Sequence, residues 1–164
     1  MLRLTLVRHA KTSPAYSGQE DWDRVLEARG QRDAPEMARR LKELAPKADR
    51  VLTSPAVRAL TTTTIMAREL GIGASKVVQD ERLYLAGPKD LLKVIHELGG
   101  NAAHLMVVGH NPGISEFADS LSNERSVDNM PTCAIYSVEF DIDDWRDLEL
   151  GDGVNADFDY PKNA

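Results

Sequence analysis

The chain has 164 residues, of which 42% are hydrophobic and 28% charged, with a formal net charge of −6 and one cysteine. A chain of this length can bury its core as a single domain, residues 1–164, without disulfides or structural metal. No apolar run approaches the roughly 18 residues of a membrane span, the acidic balance speaks against nucleic acid, and the lone Cys133 allows no internal disulfide, which fits a reducing cytoplasm.

Leu2–Val7 reads as a first strand; this end is too short and too interrupted by arginine to serve as a signal peptide. Gln31–Leu44 has helical spacing, with Met37, Leu41 and Leu44 on one side. Arg50–Thr53 is a short strand, and Pro55–Leu70 a helix stopped by Gly71. Lys76–Gln79 reads as a third strand, and Pro88–Leu98 as a helix ended by Gly99 and Gly100. His104–Val108 is a strand, Pro112–Leu121 a helix, Ala134–Phe140 an alternating strand, and Val154–Tyr160 an edge strand. Strands alternating with helices indicate an α/β sandwich around a largely parallel sheet.

In such folds, sites form beyond the carboxyl ends of the strands. Arg8-His9-Ala10 comes after the first strand, Ser54-Pro55-Ala56-Val57-Arg58 after the second, and Gly109-His110-Asn111-Pro112 after the strand ending at Val108. Two histidines and two arginines therefore meet at one rim. Ser54 and Asn111 are expected to cap the helices that begin at Pro55 and Pro112. Their free N–H groups then favour an anion at the rim. The expected pocket is phosphate-sized and lined by Arg8, His9, Arg58 and His110.

These residue types suit phosphoryl transfer. Guanidinium forks match phosphate oxygens, and an imidazole nitrogen is a competent nucleophile near neutral pH. An oxygen leaving group also needs an acid. Glu81, just past the third strand, is the expected donor and Asp80 the alternative. Thr12 is a candidate for the pocket mouth. Arg24 is expected in a surface ion pair, and Trp22 and Tyr16 in loop packing. Cys133, His96 and His104 read as structural. The four histidines show no metal-ligand spacing, so neither metal nor cofactor is expected.

Arg8-His9-Ala10, Ser54-Pro55 with Arg58-Ala59, and Gly109-His110-Asn111-Pro112 together resemble the signature motifs of the histidine phosphatase superfamily, the phosphoglycerate mutase-like fold. Within it the chain is most similar to the short SixA-type phosphohistidine phosphatases. Further points of likeness are Arg29-Gly30-Gln31, Leu83-Tyr84, Met130-Pro131-Thr132 and Tyr160-Pro161-Lys162. The resemblance implies a three-layer α/β/α sandwich and metal-free catalysis. It makes His9 the phosphorylated nucleophile, with Arg8, Arg58 and His110 on the phosphoryl oxygens and Glu81 as proton donor. The implied substrate is a histidine-phosphorylated protein domain, and the alternatives are a small phosphomonoester or, without catalysis, phosphate recognition alone. A monomer is expected. Ala10, Val25-Leu26-Glu27 and Cys133 depart from the family pattern.

Overall fold

The computed structural model describes residues 1–163. Six strands form one sheet: β1 (Leu2–Arg8), β2 (Arg50–Thr53), β3 (Val77–Gln79), β4 (His104–Gly109), β5 (Ile135–Phe140) and β6 (Val154–Asp159). Their order is β3-β2-β4-β1-β5-β6. The first four are parallel to one another, while at the other edge β5 pairs antiparallel with β1 and β6 antiparallel with β5.

Alternation along the strands divides the core in two. Leu4, Leu6, Leu52, Leu105 and Val107 point to one face, where they pack under α3 (Pro88–Leu98) and α4 (Gly113–Leu121). Val7, Val51, Met106 and Val108 point to the other, under α1 (Ala28–Leu44) and α2 (Val57–Leu70). A period of two on each strand thus sorts neighbouring residues into opposite layers. Both faces of the central strands are covered, so all six residues of β4 are buried. The result is the expected three-layer α/β/α sandwich. No helix among the described residues is long and apolar enough to cross a membrane.

The expected elements all form, with local corrections. Leu44 is exposed rather than part of the buried stripe, because it ends α1 and no further turn covers it. The second helix begins at Val57 rather than Pro55, and Gly71 ends it in the left-handed conformation at φ 72°. The fourth begins at Gly113 rather than Pro112.

Two features bring the strand ends together. In register, Arg8 lies opposite Gly109 and Thr53 opposite Val108. Because β4 lies between β1 and β2, the segments leaving all three strands converge. The chain after β1 is then pinned from the side. The Glu27 N–H donates to the Lys11 carbonyl at 3.0 Å, and a side chain at Gly30 would collide with that same carbonyl oxygen.

Candidate active site

Arg8, His9, Lys11, Thr12, Pro14, Asp21, Arg24, Arg58, Leu85, His110, Asn111 and Thr132 line a cavity of about 460 Å³ at this rim. His9 and His110 are buried, with ring centroids 5.2 Å apart. The structure therefore brings together the four residues of the expected pocket.

The tautomer of His9 is set by its partner. Its Nδ1 lies 2.9 Å from the Ala10 carbonyl oxygen, which can only accept, so Nδ1 carries the proton. Nε2 then holds the lone pair. Burial is the main cause that lowers the His9 pKa to about 4, and the Arg58, Arg8 and Arg24 cations add to it, against the Ala10 bond. At neutral pH the ring is an unprotonated nucleophile.

His110 is placed by Ser54, whose Oγ lies 2.8 Å from His110 Nε2. The same Oγ accepts the Ala56 N–H at 3.2 Å. The hydroxyl is placed to donate its proton to Nε2, and in that tautomer the N–H of His110 sits on Nδ1, which is buried and without a partner. Burial above all, then the neighbouring His9 and the Arg58 cation, lowers the His110 pKa to about 3. A neutral ring with one orphaned N–H is a donor ready for a phosphoryl oxygen. This corrects the expected role of Ser54. It does not cap α2, whose N-cap is Ala56. The sequence places Pro55-Ala56 between serine and helix, and the hydroxyl turns to the imidazole instead.

Asn111 is likewise not a cap, since Pro112 holds that position. Its amide nitrogen donates to Asn129 Oδ1 and the Met130 carbonyl, and its oxygen accepts from Ser115. This fixes the turn beside Arg8, whose terminal nitrogen also donates to the Met130 carbonyl at 3.0 Å. Arg8 Nε is buried and unpartnered, a second free donor at the site. Two departures from the family pattern also have structural reasons. Ala10 is fully buried and its φ is not positive, so no glycine is needed. Cys133 does occupy the left-handed region, at φ 63°, where glycine is at ease. Its N–H reaches the carbonyls of Arg8 and His9 at 3.0 and 3.1 Å. Burial pushes its thiol up to about 12, so it stays an unreactive packing group.

Arg58 extends from the first turn of α2 and is almost wholly buried. It donates to both the backbone oxygen and the carboxylate of Asp21, at 2.7 and 2.8 Å. The Tyr84 hydroxyl donates to the same carboxylate oxygen at 2.5 Å. Arg24 donates to the other carboxylate oxygen at 3.1 Å and to Thr12 Oγ1 at 2.8 Å. Arg24 thus makes the expected ion pair, yet it lines the cavity. Thr12 lines it too, with its hydroxyl committed to Arg24. The Tyr84 ring meets His110 edge-on at 5.5 Å and is backed by Trp22 at 4.7 Å, whereas Tyr16 is exposed. The Tyr84 hydrogen bond first, then those of Arg58 and Arg24, holds the Asp21 carboxyl far below the usual carboxylate range despite its desolvation.

Glu81 does not line the cavity. It is exposed, in a 3-10 turn (Glu81–Leu83) beyond β3. Asp80 caps that turn and pairs with Arg82 at 2.9 Å, and Arg82 also pairs with Glu97. The hydrogen bond from Arg82 lowers the Asp80 pKa. Neither carboxyl lines the cavity. His104 and His96 have structural partners: Thr5 and the Pro46 carbonyl for the first, the Leu148 carbonyl for the second.

Residues 4–84 match the model of the histidine phosphatase superfamily (branch 1). Over 95% of its length the chain is 34% identical to an uncharacterized protein of Mycobacterium tuberculosis, all of which is covered. The chain belongs to the histidine phosphatase superfamily. Solved structures of the same fold include a Nakamurella multipartitia protein assigned as a phosphohistidine phosphatase SixA, with a TM-score of 0.81 and 24% identity over 98% of this chain and 96% of that one. A protein histidine phosphatase SixA complexed with tungstate matches with a TM-score of 0.77 and 22% identity over 97% and 95%. A mycobacterial glucosyl-3-phosphoglycerate phosphatase matches with a TM-score of 0.67 and 16% identity, over 98% of each chain. Superfamily membership agrees with the motifs after β1, β2 and β4.

Proposed function

We propose that this chain is a phosphatase that passes the phosphoryl group through His9 and acts on phosphohistidine in a protein partner. The observation that carries this reading is the fixed tautomer of His9. Its Nδ1–H is engaged by the Ala10 carbonyl, so Nε2 presents a lone pair in a cavity shared with Arg8, Arg58 and His110. In the first step the Nε2 lone pair forms a bond to phosphorus. The bond from phosphorus to the leaving atom breaks, and its electron pair departs with that atom. Arg8, Arg58 and the Nδ1–H of His110 take the charge on the non-bridging oxygens. In the second step water attacks the phosphoryl group, the P–Nε2 pair returns to His9, and phosphate leaves with the proton balance met by solvent.

The preference for a phosphorus–nitrogen bond rests on the carboxyls. An alkoxide needs a proton from an acid, but Glu81 is outside the cavity and both Asp21 and Asp80 are held ionised. An imidazole already protonated on its second nitrogen leaves as the neutral ring, whose conjugate acid has a pKa near 6.5, and needs no further proton. A small phosphomonoesterase is the competing reading, and the fold shared with the glucosyl-3-phosphoglycerate phosphatase supports it.

The test compares a histidine-phosphorylated carrier domain with an aryl phosphate, using wild type and His9→Ala in excess chelator. The expected result is a strong preference for phosphohistidine, unaffected by chelator, with the variant inert on both. Preference for the ester would turn the assignment to a metabolite phosphatase. Equal rates for wild type and variant would leave phosphate recognition alone.

A further inference from the structure

The cavity holds the Arg58 cation and two imidazoles at its floor, and one carboxylate, Asp21, nearer its mouth beside Arg24. His9, His110 and Arg58 form the floor, at 7%, 3% and 3% exposure, whereas the Asp21 side chain is 45% exposed. A phosphoryl group seated on the floor directs its leaving group outward, toward Asp21. One Asp21 oxygen is occupied by Arg58 and Tyr84. The other accepts from Arg24 alone and retains a free lone pair. The carboxylate is thus anchored on its inner oxygen and available on its outer one.

We infer that Asp21 is a specificity-determining residue that accepts the N–H of a departing imidazole, which selects phosphoramidates of histidine over phosphate esters. This rests on the phosphatase reading above and names the part of the site that chooses the leaving group. A phosphorylated imidazole protonated on its second nitrogen carries a cationic ring beside an anionic phosphoryl group. Asp21 pairs with that ring N–H as the phosphoryl oxygens meet Arg8, Arg58 and His110. When His9 Nε2 attacks phosphorus, the P–N electron pair returns to the ring nitrogen. The ring keeps its other proton and leaves as neutral imidazole, so no further proton is required. An ester brings no such donor: its uncharged leaving group leaves the Asp21 carboxylate unpaired, whereas the cationic ring of phosphohistidine offsets the repulsion between that carboxylate and the anionic phosphoryl group.

The experiment measures kcat/KM for free phosphohistidine and for an aryl phosphate with wild type, Asp21→Asn and Asp21→Glu. The amide keeps an oxygen for Arg58 but removes the charge. The expected outcome is a drop of about 10-fold or more on phosphohistidine with Asp21→Asn, the scale of losing a hydrogen bond to a charged group. Its rate on the aryl phosphate rises, and Asp21→Glu keeps the wild-type order of preference. Parallel losses on both substrates would make Asp21 only a holder of Arg58 and overturn the inference, as would unchanged rates on both. A wild type that leaves phosphohistidine intact yet cleaves the ester would instead defeat the parent reading, a result visible before any variant is made.

Discussion

The ends of β1, β2 and β4 and the end of β3 lie along one sheet, yet they serve different purposes. The three central strands deliver Arg8-His9, Ser54-Arg58 and His110 to one cluster, in which His9, Ser54, Arg58 and His110 are buried. The edge strand β3 delivers Glu81 into solvent and a half-buried Asp80 that pairs with Arg82. Central strands have neighbours on both sides that fix their direction and bury the turns at their ends. An edge strand has one neighbour, and the chain beyond it closes its own local pairs. The arginines and histidines of the rim therefore come from the centre of the sheet, while the carboxylate that faces them, Asp21, arrives from a 3-10 turn (Asp21–Asp23) between β1 and α1.

The sharpest way to separate these regions is by substitution. His9→Ala is expected to lower kcat/KM on any phosphorylated substrate by about 10⁴-fold or more, the scale seen when a covalent nucleophile is removed. Rapid quench after labelled substrate should also show no phosphoenzyme. Arg58→Ala should cost about 10²- to 10³-fold, as loss of a transition-state donor does. Arg58→Lys should recover little, because one ammonium cannot replace two guanidinium contacts.

Acid distinguishes the two kinds of charge next. His9 and His110 are buried neutral, with pKa values lowered to about 4 and about 3. The unfolded chain binds their protons near pH 6.5, so stability falls as pH drops from there toward 4, on the order of 3 kcal/mol for His9 alone. Asp21 and Asp80 have depressed pKa values, and the stability they contribute is present above about pH 4 and lost below it. Urea melts across pH 7 to 3 should show the first loss, and His9→Ala should flatten it. A first loss of unchanged size in that variant would mean that His9 is not buried neutral.

Ser54→Ala comes next, with a loss of roughly 10-fold, the lower end for a group that orients a ligand-binding imidazole. The signature to seek by proton NMR is a change in the His110 tautomer, since its Nε2 would lose the Ser54 donor. The smallest effect is expected from Glu81→Gln, within about 2-fold on both ester and phosphohistidine, as for most exposed substitutions. A large loss confined to esters would restore the acid role to Glu81 and dissolve the contrast between centre and edge.

Most of the rim is legible in the sequence because it adjoins regular structure. Period-two and helical patterns locate strand ends, and strand ends locate Arg8, His9, Arg58 and His110. Asp21 escapes such reading because Glu20-Asp21-Trp22-Asp23 has no periodicity that says where a loop side chain returns. Arg24 and Trp22, from the same region, stand out only by residue type. Ser54 is visible but misleading: the serine-proline pair signals a helix start, and only three-dimensional packing shows that its hydroxyl meets the His110 imidazole. Glu81 misleads for the converse reason. It is close in sequence to a strand end but not close in space to the cavity, since the 3-10 turn after β3 leads that side chain into solvent.

The position of β4 between β1 and β2 has a consequence for the order in which the molecule is made. Synthesis releases Arg8-His9 and Arg58 early, but the strands that carry them do not touch each other. The rim cavity cannot assemble until the segment from His104 to His110 is made and inserts between them. A chain ended before His104 would carry Arg8 and His9 with no strand to bring them beside Arg58.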